Sequence, residues 1–520
     1  LFLFAAPATV AATIVAALFG VLIGSFLNVV AHRLPIMSQR ELDNYIADES
    51  GKELPHQDVF NLMTPRSRCP HCGHRITALE NIPILSWLVL RGKCSQCKAP
   101  ISARYPLVEA ITGLVSAALV WHFGSGWPGL AVLGGAYLLI PILLILLDTR
   151  TIADDLVYPL LWLGLLTNLN GFIAPLHDAV FSAFAAYMVL WTVNFLLEQL
   201  TRKSFIGNGL FKLAAAASAW TGWLAIPAAL FALPAPFADA APASVFASVG
   251  AGLVGLLIGS FLNVVVHRLP IMDQREIDNY IAYQAGTALP HQDRFDLMVP
   301  RSRCPHCGHQ ITALENIPIV SWLVLRGKCS QCKAPISPRY PIVEAVTGLL
   351  AAALVWHFGS GWLGLAALAF GCILVALTLI DYDTKTLPDV LTYPLLWLGL
   401  LVNLNGTLVP LRDAVIGAVA GYLFLWTVSR LYRMVRGQIG MGEGDFKLLA
   451  GFGAWFGWSM LPALILMSAG VGSVVGVALI LFRRIRPEQQ IPFGPYLAGA
   501  GIIALFYGTP VMRLLLGLTV

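Results

Sequence analysis

The chain has 520 residues, of which 57% are hydrophobic and only 12% charged, and its mean hydropathy is +0.74. That is more apolar surface than a soluble core hides, which excludes a water-soluble globular protein and a disordered one and makes the lipid bilayer the solvent. A formal net charge of +5 is small for this length and gives no ground for nucleic-acid binding.

Read in order, residues 9 to 31 form an apolar run long enough to cross a bilayer, ending at His32 and Arg33. The run lacks a basic leader and recurs inside the chain at 244 to 266, which favours a retained helix over a cleaved signal peptide. Residues 32 to 104 are polar and hold four cysteines. Apolar segments follow at about 107 to 123, 129 to 147, 156 to 172, 177 to 197 and 211 to 232, giving six predicted crossings. The sequence then begins again. A constant offset of 235 residues lays Gly24-Ser25-Phe26-Leu27-Asn28 on Gly259-Ser260-Phe261-Leu262-Asn263, and His32-Arg33-Leu34-Pro35 on His267-Arg268-Leu269-Pro270. A period so much longer than that of a solenoid means tandem duplication of a whole domain, copy one over 1–235 and copy two over 236–520.

Copy two predicts spans near 244 to 266, 342 to 358, 363 to 380, 390 to 406, 412 to 432 and 446 to 458, then two more near 461 to 482 and 493 to 516, eight in all. The 446 to 458 span is short and reads as partly re-entrant. The basic connections 267–339, Arg430 to Arg436 and Arg483 to Arg486 fall on one side, which the positive-inside rule makes cytoplasmic. The link at 233 to 242, without Lys or Arg, suits the outer face. Six crossings return the chain to its starting side, so both copies enter the membrane in the same orientation.

The most specific small motif is the cysteine pattern. Cys69-Pro-His-Cys72 and Cys94-Ser-Gln-Cys97 stand 21 residues apart in the loop 32–104, and the pattern recurs at Cys304, Cys307, Cys329 and Cys332 in the loop 267–339. Two Cys-x-x-Cys turns supply a tetrahedral thiolate shell, so two structural zinc ions are expected, one per loop. Disulfides are the competing reading, disfavoured in a reducing cytoplasm, and iron–sulfur ligation is the other. Four thiols fill the shell, which leaves His71, His74, His306 and His309 as solvated knuckle residues. Cys372 lies in an apolar span and reads as packing.

Two acids stand out. Asp445 lies in Gly440-Met441-Gly442-Glu443-Gly444-Asp445-Phe446-Lys447, a turn whose glycines are expected to allow positive φ and close approach to a substrate at the mouth of an apolar helix. Asp381, in Leu379-Ile380-Asp381-Tyr382-Asp383, ends another apolar run, where a buried charge is costly without a use. Facing each other they make an aspartyl dyad, with the bland alternative a helix cap and a membrane-edge acid. A helix N-terminus favours charge on Asp445, the candidate base, and the opposite dipole makes Asp381 the candidate acid. Gly442 and Gly444 support the turn. Lys447 reads either as a stabiliser of developing negative charge or as an interfacial lysine. Asp383 and Asp389 read as loop acids or caps, with substrate contact as the alternative, and Glu443 carries no role.

Copy two resembles the type IV prepilin peptidases. The resemblance rests on Gly259 to Val265, His267-Arg268-Leu269-Pro270, the two cysteine pairs, Glu315-Asn316-Ile317-Pro318, Arg339-Tyr340-Pro341, Asp381 to Asp389, Gly442 to Lys447 and Ile491-Pro492-Phe493-Gly494-Pro495-Tyr496. It implies a bacterial inner-membrane enzyme that cleaves the leader of prepilins or pseudopilins. It also implies N-methylation of the new amino terminus from S-adenosylmethionine, on residues that the sequence does not place. It carries the two catalytic aspartates to Asp381 and Asp445, the latter in a glycine-x-glycine-aspartate motif shared with presenilin-like intramembrane proteases. The implied fold is an all-α polytopic bundle of that protease type with cytoplasmic four-cysteine zinc loops. The implied leader is short and basic, ending in glycine with phenylalanine next. The alternative is a non-catalytic, zinc-binding membrane scaffold of a pilus or secretion system.

Copy one departs where the chemistry would be. The same offset sets Leu146 against Asp381 and Leu210 against Asp445, while Asp148, Asp154 and Gly207-Asn208-Gly209-Leu210-Phe211-Lys212 keep the surroundings. It also lacks the last two helices. Copy one is expected to have no peptidase activity and to act as a brace, a second zinc loop, a contributor to methyl-donor binding or a partner of copy two in an internal pseudo-dimer.

Overall fold

The computed structural model describes residues 9–49, 53–201, 208–222, 244–284, 287–436, 441–482 and 492–516. Gly207, the link 233–242, Gly440, Arg483 to Arg486 and Ile491 lie outside them. The chain divides into two compact units, Leu1–Ala228 and Ala229–Val520.

The first unit contains α1 (Val10–Glu49), the short α2 (Leu85–Val89), α3 (Arg104–Phe123), α4 (Trp127–Thr149), α5 (Asp154–Thr167), α6 (Leu176–Thr201) and α7 (Asn208–Thr221). The second repeats every one of these at the same offset: α8 (Val245–Gln284), α9 (Val320–Val324), α10 (Arg339–Phe358), α11 (Trp362–Thr384), α12 (Asp389–Val402), α13 (Leu411–Arg436) and α14 (Glu443–Phe456). It then adds α15 (Leu461–Leu481) and α16 (Gly494–Leu516). Among the described residues there is no β-sheet, only single bridges such as Arg303 with Gln310 and Lys328 with Pro335, which close the two cysteine turns.

Among the described residues a helix lies in each of the fourteen expected spans, that at 211–232 being described only to 222, and nine are long and apolar enough to cross a membrane. The other five include α12 and α14, each of 14 residues. Such a helix is about 21 Å long, against a hydrocarbon core of about 30 Å. By sequence the first span of copy two ends at 266, but α8 runs on to Gln284 with Pro270 inside it. At 40 residues it reaches about 60 Å, twice the hydrocarbon thickness. Arg268 is therefore no free membrane-edge cation. It is buried, donates to the carbonyls of Asp296 and Pro300, and lies over the Phe295 ring, so it ties the cysteine loop to the helix.

The core of the second unit gathers around α14. Phe446, Leu449, Phe452 and Trp455 pack with Phe370 and Leu374 of α11, Leu395 of α12 and Leu497 of α16. Trp455 donates its indole N–H to the Leu395 carbonyl at 2.9 Å. The buried Asn403 donates to the carbonyls of Ala454 and Trp455 at 2.9 and 3.0 Å, and its amide oxygen accepts from Leu408 and Val409. These bonds satisfy carbonyls at the end of α14 that its own helix leaves open, and they fix its depth in the bundle. The first unit makes the same clamp from Asn168 to Ala219 and Trp220.

Candidate active site

Asp381 sits one turn before the end of α11, and Asp445 in the first turn of α14. Both are buried, at 5% and 9% exposure, and the charge of Asp381 acts on Asp445. Far apart in sequence, they meet because α11, α12 and α14 pack together. On the α12–α14 face Leu387 lies against Gly444, Lys447 pairs with Asp389 at 2.6 Å, and Gly451 lies against Leu395. Like charges this near cannot both ionise easily, the physical requirement for two acids that share a proton.

Asp381 Oδ2 accepts the backbone N–H of Gly494, the first residue of α16, at 2.9 Å. Both acids therefore lie at helix N-termini, Asp445 at that of α14 and Asp381 at that of α16. The dipole argument that gave them opposite roles from sequence no longer separates them, and the pair is best treated as one titrating unit. Gly494 was quoted in sequence only as part of a motif. In the structure its bare Cα is what leaves room for the acid, because a Cβ there would stand 2.6 Å from Asp381 Oδ2 and push the carboxylate aside.

Among the described glycines of the Asp445 turn, only Gly444 serves close approach, and Gly442 has ordinary backbone. Gly442 has φ −75° and a Cβ there would meet nothing within 4 Å. Gly444 is the one that packing requires, since a Cβ would stand 2.6 Å from Leu387 Cβ. Lys447 is committed to Asp389 and lies 5.4 Å over the Tyr393 ring. The first unit, which has leucine at both acid positions, keeps the same pairing in Lys212, Asp154 and Tyr158, so the pairing joins helices in both units. Asp383 is likewise no loose loop acid. Arg339 grips it with two hydrogen bonds of 2.9 and 2.7 Å, and Arg104 bonds Asp148 in the first unit. Of the leucines that stand at the matching positions there, Leu210 is 45% exposed and Leu146 half-buried.

The cysteines converge as the spacing predicts. In each group of four, Cys69, Cys72, Cys94, Cys97 and Cys304, Cys307, Cys329, Cys332, all Sγ atoms lie within 4.8 Å of one another. Cys304 to Cys332 is 3.7 Å and Cys307 to Cys329 is 4.0 Å, with 3.7 and 3.9 Å for the matching pairs of the first unit. Four sulfurs about 2.3 Å from a tetrahedral zinc stand about 3.8 Å apart, so the donor set fits that ion and is too open for disulfides. Backbone N–H groups of Cys307 and His306 draw the Cys304 thiol down to about 6, the thiolate form a metal needs. His309 is not a solvated knuckle residue: its Nε2 is 3.1 Å from Glu315 Oε2, and His74 meets Glu80 the same way. Glu315 also accepts from the Thr312 N–H and hydroxyl, so it fastens the two cysteine turns to the next segment. Cys372 packs beside the Leu262, Ala376 and Ile380 cluster as expected.

An apolar cleft of about 280 Å³ lies between α10, α11 and α16, lined by Val343, Val346, Thr378, Leu379, Pro495 and Ile502 among others. Leu379 and Pro495 place it next to Asp381 and Gly494. Its walls offer almost no polar partner and do not fit S-adenosylmethionine, whose charged groups need several.

Comparison with known proteins agrees with this geometry. The family model described as the Bacterial Peptidase A24 N-terminal domain matches residues 18–123 and 253–358, and that described as the Type IV leader peptidase family matches 133–266 and 368–477. A prepilin leader peptidase/N-methyltransferase of Aeromonas salmonicida is 55% identical over 264 residues, 50% of this chain and 91% of that protein. Proteins of the same name from Pseudomonas aeruginosa and Burkholderia pseudomallei are 53% identical over 266 residues and 48% over 294, covering 50% and 55% of this chain and 90% and 95% of theirs. No solved structure matches the chain. Two matches to each family model and near-complete coverage of relatives half its length have one reading: the chain belongs to the type IV leader peptidase family and carries that family's architecture twice in tandem.

Proposed function

We propose that the second unit is a membrane aspartyl endopeptidase that removes the leader of type IV prepilins or pilin-like pseudopilins, with Asp381 and Asp445 as its dyad, and that the enzyme then N-methylates the new amino terminus from S-adenosylmethionine. The observation that carries the peptidase reading is the meeting of two buried carboxylates from separate helices, in the unit that has both, while the other unit has leucine at both positions. One carboxyl holds a proton, and the other draws a proton from water as it attacks the scissile carbonyl. The protonated acid then supplies the proton that the departing amine needs. The Gly494 N–H fixes the angle of Asp381 for that exchange. The apolar cleft beside Asp381 suits the hydrophobic segment that follows a leader.

The loops 32–104 and 267–339 each hold one structural zinc ion, and with the mouth of the site they face the cytoplasm of a bacterium, the chain being embedded in its inner membrane. The first unit is a degenerate copy that keeps a metal loop and its helix clamps without a dyad. A purely structural scaffold has no need of two buried acids that repel one another. The test incubates the membrane-embedded chain with a pilin precursor and follows leader loss and methyl transfer separately. Loss of the leader followed by methylation is expected, and an intact precursor would sink the reading.

A further inference from the structure

Among the described residues only two buried side-chain polar atoms lack a hydrogen-bond partner, Asp445 Oδ1 and Thr392 Oγ1. Buried polar atoms are paired almost everywhere, so an orphan at a reactive site calls for an explanation. The first unit has neither: Leu210 stands against Asp445 and Val157, nearly the same shape as threonine without the hydroxyl, against Thr392. Both orphans are thus absent from the copy that has no dyad.

Thr392 is fully buried on α12, and its register sets it level with the first turns of α14, which carry Asp445. Leu387 lies against Gly444, Asp389 pairs with Lys447, and Trp455 bonds the Leu395 carbonyl, so α12 and α14 run parallel. Asp389, Thr392, Leu396 and Gly399, three or four apart, share the face of α12 that α14 covers. This register sets Thr392 beside the turn that follows Asp445. Side chains on a helix lean toward its N-terminus, which for both helices is the Asp445 end. From the other side, the neighbouring Leu391 packs against the cluster that includes Ile380, the residue before Asp381. Its hydroxyl is also unlike others in the bundle. Those of Thr347, Thr384 and Thr427 each bond the carbonyl four residues back, at 2.8, 2.9 and 2.7 Å, the usual refuge of a helical threonine.

We propose that Thr392 is a positioning residue of the dyad, and that its hydroxyl and Asp445 Oδ1 together hold the hydrolytic water. This rests on the dyad reading above and adds a third group to it. A hydroxyl both donates and accepts, so it fixes the orientation of a water that one carboxylate alone would leave free to turn.

The test uses the full membrane-embedded chain and compares wild type, Thr392→Val, Thr392→Ser and Asp445→Asn for cleavage of a pilin precursor across pH, with melting temperature recorded. Val157 fills the equivalent position fully buried, so Thr392→Val is expected to fold and to melt no lower than wild type. Its cleavage is expected to fall by roughly ten- to a hundred-fold, the effect of one hydrogen bond to a charged group, with a displaced pH profile. Thr392→Ser, which keeps the hydroxyl, is expected to restore most of the rate. Wild-type cleavage by Thr392→Val overturns the proposal. So does a Thr392→Val that loses its fold, an unmoved pH profile, or a Thr392→Ser as slow as the valine form, each of which assigns the residue to packing. Cleavage by Asp445→Asn would instead remove the dyad itself, whatever the threonine variants do.

Discussion

Replacing Gly494 by alanine isolates the contact between α16 and Asp381. A Cβ at 494 would stand 2.6, 3.0 and 3.3 Å from Oδ2, Cγ and Cβ of Asp381, so its three nearest neighbours all belong to that one acid. Ordinary contact begins near 3.4 Å, so the carboxylate must retreat by about 0.8 Å or turn away. A catalytic group misplaced by about 1 Å costs roughly a hundredfold in rate, or about 2.7 kcal/mol of transition-state stabilisation. Alanine is the better helix former and leaves the 494 N–H in place, so the bundle itself has no reason to weaken. The assay is single-turnover cleavage of a pilin precursor in nanodiscs, with thermal unfolding measured alongside. Gly470→Ala on α15, where a Cβ meets nothing within 4 Å, serves as the control and should cleave normally. A folded Gly494→Ala enzyme within a few-fold of wild type would refute the claim that Asp381 works from the place this glycine leaves for it.

Purified protein should carry two zinc ions per chain, and exchanging Cys304 and Cys307 for serine should release one and loosen residues 267–339, as metal analysis and limited proteolysis would report. Retention should depend on pH in one direction. Protons compete with the metal for the thiolates, and the N–H groups of Cys307 and His306 already hold the Cys304 thiol below its ordinary value, so zinc should be retained at neutral pH and leave on acidification, and a preparation that keeps both ions in strong acid contradicts it. In an Asp381→Asn, Asp445→Asn background, restoring only Leu146→Asp or only Leu210→Asp should give no cleavage, because one acid cannot be both base and proton donor. Cleavage from either would mean that the dyad or the gap-free register is wrong.

Local patterns were legible in the sequence and long-range partners were not. The duplication, the cysteine quartets and both acids sit in contiguous motifs with fixed spacing, and the helices follow from apolar runs. Gly494 lies 113 residues from the carboxylate it contacts, and no periodicity announces that. The partners of Lys447 and His309 were hidden for the same reason, since ion pairs across helices leave no spacing rule. The expectation of positive φ failed at Gly442, which has φ −75°, while it is Gly444 whose bare Cα lets Leu387 pack close, because a glycine in a sequence does not show which of the two uses it has. The extension of α8 past His267 was missed because polarity marks where the bilayer ends, not where the helix does. The first unit allows an internal comparison: it keeps pairs such as Lys212 with Asp154 and has leucine where the second has Asp381 and Asp445.

The most direct measurement is cleavage of a pilin precursor by Asp381→Asn and by Asp445→Asn, each reconstituted in lipid and shown to melt as the wild type does. Amide and acid are nearly the same size, but the amide exchanges no proton, so each single variant should leave the precursor intact. Near wild-type cleavage by either folded variant would contradict the dyad.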